Sequence, residues 1–148
     1  MTLFAPGFSG DEDVIKAVGE SMLGMFNTSQ WGHDMNNPAN KRFVAEFEKE
    51  YGRLPSLYAA QGYDAALLSD SKGQLSDKAA VRKALQAAKF ESVRGAFKFN
   101  KNQFPIQDYY LRVIVKDAKG RVTNKTLGVV LKNHSDAYVG TCKMPAGA

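Results

Sequence analysis

The stretch that most constrains the fold runs from Arg53 to Leu68 and reads as a single helix. Pro55 fits its first turn, where a missing N–H costs nothing, and the alanines and leucines that follow are strong helix formers. At 3.6 residues per turn, Tyr58 and Gln61 share one face with Ala65. The neighbouring face is formed by Leu57, Ala60, Asp64 and Leu68. We expect the rest of the chain to be organised around this helix.

The segments before this helix are predicted to run strand, helix, strand and helix. An apolar strand over Thr2–Ala5 stops at Pro6–Gly7, and the acids of Asp11–Asp13 open a helix at the end where its dipole favours them. A second strand is predicted over Gly24–Ser29. The helix that follows is capped by Asn37, has Pro38 in its first position, buries Phe43, Phe47 and Tyr51, and ends at Gly52.

The segments after it favour one more helix and then strands. Ser76 is predicted to cap a helix that ends near Ala88, and the alternation over Val93–Phe99 indicates a strand with Gly95 at a bulge or close approach. After a turn, Gln107–Lys116 and Arg121–Leu131 are predicted to form a hairpin, with Gly120 where positive φ is needed. The fold class is therefore α/β. Helices crowd the middle and strands the end, so the sheet is expected to take further strands from elsewhere, as in a piece of a larger fold.

Composition is that of a soluble globular domain, with 44% hydrophobic and 24% charged residues. No apolar run approaches the roughly 18–20 residues that a membrane helix needs. The first ten residues lack the basic start and apolar middle of a signal peptide, so the chain as given carries no export address.

Charge is unevenly distributed along the chain. Residues 1–74 hold six Lys/Arg against ten Asp/Glu, and residues 75–148 hold fourteen against five. One interpretation is a small basic nucleic-acid-binding module that depends on Arg112, Lys116 and Arg121. We favour a solvated face without nucleic acid, because the cations are spread over predicted strands and turns: Lys98, Lys101, Arg112, Lys116, Lys119, Arg121, Lys125 and Lys132.

No metal, cofactor or catalytic site is predicted. Cys142 is the single cysteine, so it is a free thiol or pairs with a cysteine outside this chain. His33 and His134 sit in no cluster with metal-ligand spacing. His33 and Asp34 are adjacent and would point to opposite sides of an extended chain, without a nucleophile motif nearby. A loop at the edge of a cleft is favoured over a hydrolase, and the chain is expected not to be an enzyme.

Several of these segments, in this order and spacing, carry a resemblance. The segments are Asn37–Asn40, Phe43–Gly52, Pro55–Ala60, Tyr63–Ala65, Val93–Phe99, Phe104–Asp108 and Asn124–Thr126. Together they closely resemble the C-terminal part of type I periplasmic solute-binding proteins, the branched-chain amino acid (Leu/Ile/Val) receptor family of ABC importers. The last two look most like the subset that binds aromatic or other small organic acids. The resemblance covers nearly all of Leu3–Met144.

The resemblance implies a partial type I periplasmic-binding-protein fold, a Rossmann-like lobe portion with C-terminal strands and hairpin. The complete fold has two α/β lobes that close over a small ligand. Residues 1–30 would supply the end of the second lobe and a crossover, 31–92 the helices of the first lobe, and 93–148 the return strand, hairpin and tail. The N-terminal portion would be missing, and the segment Ser69–Gln74 looks shortened. The parent receptor would be periplasmic, with an ABC permease as partner.

The resemblance also suggests where a ligand would bind. Tyr58 falls where the family places an aromatic against the ligand, and Gly7 and Phe8 fall where amino-acid receptors place an acid for the ligand's ammonium. Because no carboxylate is available there, an aromatic acid is favoured over a branched-chain amino acid. The predicted ligand-binding residues are Phe8, Trp31, Tyr58 and Gln61, although Tyr58 could instead be plain core. Alone, the chain is expected to bind weakly or not at all and to form an oligomer that pairs its sheet edges.

Overall fold

The computed structural model describes residues 1–70, 76–87, 89–96 and 98–143. Within them, strands and helices alternate at first and strands dominate at the end. The elements are β1 (Phe4–Pro6), α1 (Glu12–Val18), β2 (Phe26–Ser29), α2 (Pro38–Tyr51), α3 (Leu57–Asp70), α4 (Lys78–Ala87), β3 (Lys98–Phe99), β4 (Pro105–Lys116) and β5 (Val122–His134). Single 3-10 turns cover Gly19–Met22 and Val139–Thr141. None of the helices in these ranges is long and apolar enough to cross a bilayer.

One mixed sheet connects the two ends of the chain. β1 lies parallel to β2 and β2 antiparallel to β4, so that Phe4 faces Phe26 and Phe26 faces Val113. β5 pairs antiparallel along nearly the whole of β4, and the short β3 pairs with its beginning. The predicted hairpin is confirmed, with Gly120 at φ +77° in its turn. The mixed α/β fold class is confirmed as well.

Helix α2 begins and ends where local signals predict. The Asn37 side chain accepts a hydrogen bond from the backbone N–H of Asn40 at 2.8 Å, Pro38 occupies the first position, and Gly52 ends the helix at φ +65°. Caps of this kind depend only on neighbouring residues, so the sequence suffices to place them.

Helix α3 begins at Leu57, four residues after the predicted start at Arg53 and two residues after Pro55. The hydroxyl of Ser56 accepts from the backbone N–H of Ala59 at 3.2 Å, so Ser56 caps the helix and Pro55 lies outside its first turn. A serine side chain can accept the orphan N–H of the first turn, which proline cannot. The predicted faces are confirmed: one face is buried and contains Leu57, Ala60 and Asp64, and Tyr58, Gln61 and Ala65 are exposed.

Two other boundaries differ from the predictions. Asp77, not Ser76, caps α4, because its Oδ1 accepts from the N–H groups of Ala79 and Ala80, each at 3.0 Å. The strand predicted from Val93 is formed only at Lys98–Phe99, whereas Val93 lies in a turn. The predicted residues Ala88, Phe97 and Met144, and most of the segment Ser69–Gln74, lie outside the described ranges.

Among the described residues, the core consists of two clusters. Trp31, Phe43, Leu57, Ala60 and Val93 form the larger one between α2, α3 and the turn before β3. Ile15, Met22 and Ile114 form the smaller one between α1 and the sheet. Tyr51, predicted to be buried with Phe43 and Phe47, is 63% exposed instead, because it lies in the last turn of α2, beyond the part of the helix that packs on the core.

Candidate functional site

The loop that follows β1 presents one exposed aromatic ring on a fixed backbone. Phe8 is 58% exposed, while Gly7 and Gly10 on either side are buried. The carbonyl of Gly7 accepts from Arg112 Nη2 at 3.3 Å, and the carbonyl of Gly10 accepts from Asn124 Nδ2 at 2.7 Å. The loop backbone is therefore held by two buried side chains, while the Phe8 ring is exposed to solvent.

Both glycines of this loop are required by close packing. A Cβ at Gly7 would lie 2.4 Å from the backbone oxygen of Thr28, and one at Gly10 would lie 2.6 Å from Asn27 Nδ2. A backbone oxygen of a paired strand cannot move aside cheaply, so position 7 accepts no side chain without shifting β2.

Arg112 lies at the centre of the contacts beneath the loop. It is 1% exposed, and besides Gly7 it donates from Nε to Asn27 Oδ1 at 2.8 Å and from Nη1 to the Trp31 carbonyl at 3.0 Å. Burial lowers the pKa of Arg112, and the nearby charges of Glu12, Asp11 and Asp34 act in the opposite direction. Arg112 was predicted on a solvated face, and this was wrong because strand alternation does not reveal which basic residue finds buried acceptors.

Lys116 and Arg121, the other two basic residues on which the nucleic-acid interpretation depends, also form ion pairs within the chain. Lys116 pairs with Glu20 at 2.5 Å, and Arg121 pairs with Glu48 at 2.6 Å and Asp117 at 2.8 Å. The three residues on which that interpretation depended thus all contact acceptors of the chain itself.

The predicted residues Tyr58 and Gln61 lie on the exposed face of α3, with Tyr58 at 59% exposure. The helix beneath them is fixed by the buried carboxylate of Asp64. That carboxylate accepts from Ser92 Oγ at 2.6 Å, the Val93 N–H at 3.0 Å and Arg94 Nε at 3.0 Å. Tyr58 is therefore exposed on a helix that Asp64 anchors, and the structure does not place it in the core.

A second buried carboxylate connects this helix to the Phe8 loop. Asp11 is 1% exposed, and its Oδ1 accepts from the backbone N–H of Leu57, the first residue of α3, at 2.8 Å. Its Oδ2 accepts from the N–H of Asp13 at 3.4 Å and so caps α1. The structure thus ties together the elements that carry Phe8 and Tyr58.

Trp31 differs from the other three predicted site residues. It is 1% exposed, its indole N–H donates to Asn40 Oδ1 at 2.7 Å, and its ring packs edge-on against Phe43 at 6.3 Å between centroids. Because both its apolar body and its polar N–H are satisfied inside the chain, we assign Trp31 to the core and leave it out of the site proposed below.

His33 and Asp34 each hold the same strand. His33 Nε2 lies 2.9 Å from Thr123 Oγ1 and 3.0 Å from the Asn124 carbonyl, and Asp34 accepts from the Thr126 N–H and hydroxyl at 2.7 and 2.6 Å. Both residues thus anchor β5 to the segment before α2. Cys142 forms no disulfide within the described ranges.

A polar cleft of about 490 Å³ lies elsewhere on the surface and contains none of the exposed predicted residues. It is lined by Asp34, Met35, Asn36, Asn37, Arg94, Gly95, Ala96, Asp108, Tyr110, Thr126 and Asn133. Burial, and then the charge of Asp108, raises the pKa of Tyr110. The acids of the cleft are already bonded to backbone, Asp34 as above and Asp108 by the N–H of Asn133 at 2.7 Å. We therefore take the open surface of Phe8, Tyr58 and Gln61 as the candidate site.

Sequence reasoning missed the three buried charged residues that support this surface, Asp11, Asp64 and Arg112. A signal existed for Asp64, since a carboxylate on an otherwise apolar helix face requires buried donors. For Arg112 the local pattern carried no such signal.

Three comparisons relate this chain to known proteins. Residues 1–120 match the sequence profile of the family described as periplasmic binding protein. The chain is similar to the Leu/Ile/Val-binding protein homolog 6 of Brucella abortus, with 30% identity over 132 residues that cover 84% of this chain and 34% of the relative.

Two solved structures have the same fold. One is an ABC transporter solute-binding protein from R. palustris in complex with benzoate, at 32% identity and a TM-score of 0.83, covering 97% of this chain and 39% of that one. The other is a solute-binding protein of an ABC transporter from Rhodopseudomonas palustris BisB5 in complex with 3,4-dihydroxy benzoic acid, at 25% identity and a TM-score of 0.79, covering 95% and 39%. The chain thus spans a little over a third of the length of these relatives. It belongs to the periplasmic binding protein family, whose solved members here are receptors of ABC transporters with the type I fold.

Proposed function

We propose that this chain forms part of the substrate-binding component of an ABC importer and that Phe8, Tyr58 and Gln61 contact a small aromatic acid. The observation that carries the proposal is the pair of exposed aromatic rings on two elements that share one buried carboxylate. Aromatic faces bind flat apolar bodies, and the Gln61 amide would orient the ligand. The protein would bind and release its ligand without chemical change. The benzoate and dihydroxybenzoate complexes of similar proteins support this ligand class.

Gly7 supports an aromatic acid over a free amino acid. The resemblance places the acid that pairs with a ligand ammonium at this loop, and a side chain at position 7 would collide with the backbone oxygen of Thr28. Phe8 beside it is apolar. An ammonium group held next to this loop would lose water without gaining a carboxylate, which costs several kcal/mol.

Binding in a complete receptor would proceed by closure of two lobes, a shift of population toward the closed form when a ligand contacts both. We propose that residues 1–30 belong to the second lobe and the crossover, 31–92 to helices of the first lobe, and 93–148 to the return strand, hairpin and tail. The ligand carboxylate would be held by parts of the receptor that the relatives have beyond the third matched here. The complete receptor would work in the periplasm with a permease as partner.

The test uses the chain alone and a chimaera. In the chimaera the chain replaces the matching 39% of the R. palustris benzoate-binding protein. Calorimetric titration with benzoate, 4-hydroxybenzoate and leucine would measure affinity for each. We expect the chimaera to prefer the benzoates, and Phe8→Ala or Tyr58→Ala to weaken benzoate binding about tenfold, the effect of losing roughly 1.4 kcal/mol of ring contact.

Phe104→Ala is the matched control, since Phe104 is an aromatic of similar exposure in the turn before β4. Preference for leucine, or equal effects of Phe8→Ala and Phe104→Ala, would contradict the proposal. The oligomer of the isolated chain stays a prediction that light scattering on the same samples tests.

A further inference from the structure

We infer that Asp11 is a positioning residue that sets the distance between the Phe8 loop and the Tyr58 face of α3. The part of the inference that concerns ligand binding rests on the proposed function. The part that concerns the position of the two elements applies to this chain alone. The physical basis is one carboxylate that accepts hydrogen bonds from the N-termini of two helices.

The first step is that α3 does not need Asp11 as its own cap. The hydroxyl of Ser56 already accepts from the Ala59 N–H, in the ordinary manner of a local cap. Asp11 lies 46 positions before Leu57 and accepts from a different N–H, at 2.8 Å. A bond over that sequence distance adds little to helix formation but joins two separate elements.

The second step is the stability of the carboxylate where it lies. A buried carboxylate is costly unless donors surround it. Asp11 receives N–H groups from the first turns of both α1 and α3, and the positive ends of both helix dipoles favour its charge. The two helices therefore converge on this residue, and removing the carboxylate removes the buried polar contact that joins them.

The third step is the short path from Asp11 to each aromatic. Tyr58 directly follows Leu57, and Phe8 precedes Asp11 by three residues, one of which, Gly10, is fixed through its carbonyl by Asn124. The Gly10–Asn124 bond fixes the loop to β5 and does not reach α3. The exposed ion pair between Asp13 and Arg53 also links α1 to the segment before α3, but solvent screens it, whereas the bond between Asp11 and Leu57 is buried. The hydrogen bond is thus the adjustable link, and its loss would let the two surfaces separate.

Three variants separate joining from capping. Asp11→Ser keeps a good cap for α1, but the shorter hydroxyl cannot serve both helices. Asp11→Asn has one acceptor oxygen instead of two. Turned toward the Leu57 N–H, that oxygen keeps the 2.8 Å bond that joins the two helices and gives up the longer 3.4 Å bond from the Asp13 N–H, so this variant is the conservative rescue of joining. Asp13→Ser is the matched control, because Asp13 is an exposed acid of the same helix turn, paired with Arg53 at 2.9 Å.

The ligand-free measurement comes first. Spin labels at Ser9→Cys and Ala65→Cys, with Cys142→Ser, report the distance between loop and helix, and hydrogen exchange reports the Leu57 amide. We expect Asp11→Ser to broaden the distance distribution and to speed Leu57 exchange about tenfold, the effect of one lost charge-assisted hydrogen bond. Asp11→Asn should restore both, and Asp13→Ser should change neither. Unchanged distance and exchange in Asp11→Ser would overturn the inference.

Benzoate titration of the same variants in the chimaera then separates the two proposals. If Asp11→Ser weakens benzoate binding about tenfold while Asp11→Asn and Asp13→Ser do not, the positioning role extends to the ligand. If the distance broadens but even the parent chimaera ignores benzoate, the proposed function fails and the role of Asp11 in joining the two elements stands. If the parent binds and Asp11→Ser binds equally well despite a broadened distance, the role in ligand binding is refuted.

Discussion

The guanidinium of Arg112 donates a 3.3 Å hydrogen bond to the backbone carbonyl of Gly7, 105 positions away in the sequence. This bond connects the middle of β4 with the loop that presents Phe8. The same side chain reaches Asn27 on β2 and the carbonyl of Trp31 at the entry to α2. One buried cation therefore connects the sheet, the candidate ligand loop and the segment that leads into the helices.

Replacing Arg112 should destabilise the chain strongly. Arg112→Met fills much of the same volume but leaves the Asn27 oxygen and two backbone carbonyls without their buried donor, so we expect the free energy of unfolding to fall by about 3 kcal/mol. Urea denaturation followed by Trp31 fluorescence measures it. Lys132→Ala, an exposed cation on β5, should change it by less than about 0.5 kcal/mol. A loss below about 1 kcal/mol for Arg112→Met would show that water replaces the guanidinium.

Replacing glycine by alanine should lower the free energy of unfolding at Gly7 and raise it at Gly62. Gly7→Ala places a Cβ 2.4 Å from the Thr28 oxygen and should destabilise the chain by about 1–3 kcal/mol. Gly62→Ala lies on the exposed face of α3 with nothing within 4 Å, and should stabilise it by about 0.5–1 kcal/mol through helix propensity. Thermal and urea unfolding of both variants check the signs, and a stable Gly7→Ala variant would mean that β2 yields to the new methyl group.

The carboxylate of Asp64 should be required for the turn at Val93. Asp64→Ala removes three accepted hydrogen bonds and leaves Arg94 beside a vacated buried site, which we expect to cost about 3 kcal/mol. Hydrogen exchange at the Val93 amide should rise at the same time. Asp13→Ala, which breaks an exposed ion pair, is the control and should cost under about 1 kcal/mol. Equal effects of the two variants would refute this assignment.

Stability should fall on acidification in part through two surface carboxylates. The hydrogen bond from Lys116 holds the pKa of Glu20 below its ordinary value of 4.5, and the backbone N–H of Arg121 holds the pKa of Asp117 below its ordinary value of 3.8. A lowered pKa in the folded state means that the stabilisation is complete above the ordinary value and is lost as the pH falls through the folded one. The window for both groups therefore lies below pH 4.5.

Thermal melts at pH 7, 5, 4 and 3 test this expectation. The Glu20→Gln, Asp117→Asn double variant should lose less stability than the parent between pH 5 and pH 3, and the difference should shrink in high salt because both groups are exposed to screening. If the melting temperatures of the two proteins fall equally between pH 5 and pH 3, other carboxylates account for the loss of stability.

Some features of this fold could be read from neighbouring residues alone. Asn37, Pro38 and Gly52 bound α2, and Gly120 closes the hairpin, because caps and tight turns are decided over four or five residues. The two faces of α3 followed from helical spacing. The family resemblance, carried by the order of such local signals, was confirmed by the family match and the structural neighbours.

Other features depend on hydrogen-bond partners that are distant in the sequence, which no local pattern predicts. The strand predicted from Val93 gives way to a turn because Asp64, 29 positions earlier, takes the Val93 N–H that a ladder would need. Trp31 is buried because Asn40 satisfies its indole N–H from inside. Of the predicted site, Phe8, Tyr58 and Gln61 remain exposed, and their role in binding stays a proposal.

By itself, then, the sequence determined the helices, the hairpin, the α/β class and the family, since these depend on spacing and on backbone preferences within one or two turns. Only the tertiary structure decided where the charges lie. Arg112 was predicted on a solvated face, and it is buried because the fold brings the carbonyls of Gly7 and Trp31 to it. A buried charge is tolerated only where donors and acceptors from distant segments meet. Such meetings of distant segments arise only in the folded chain. The contact of Asp11 with the first residue of α3 is another example.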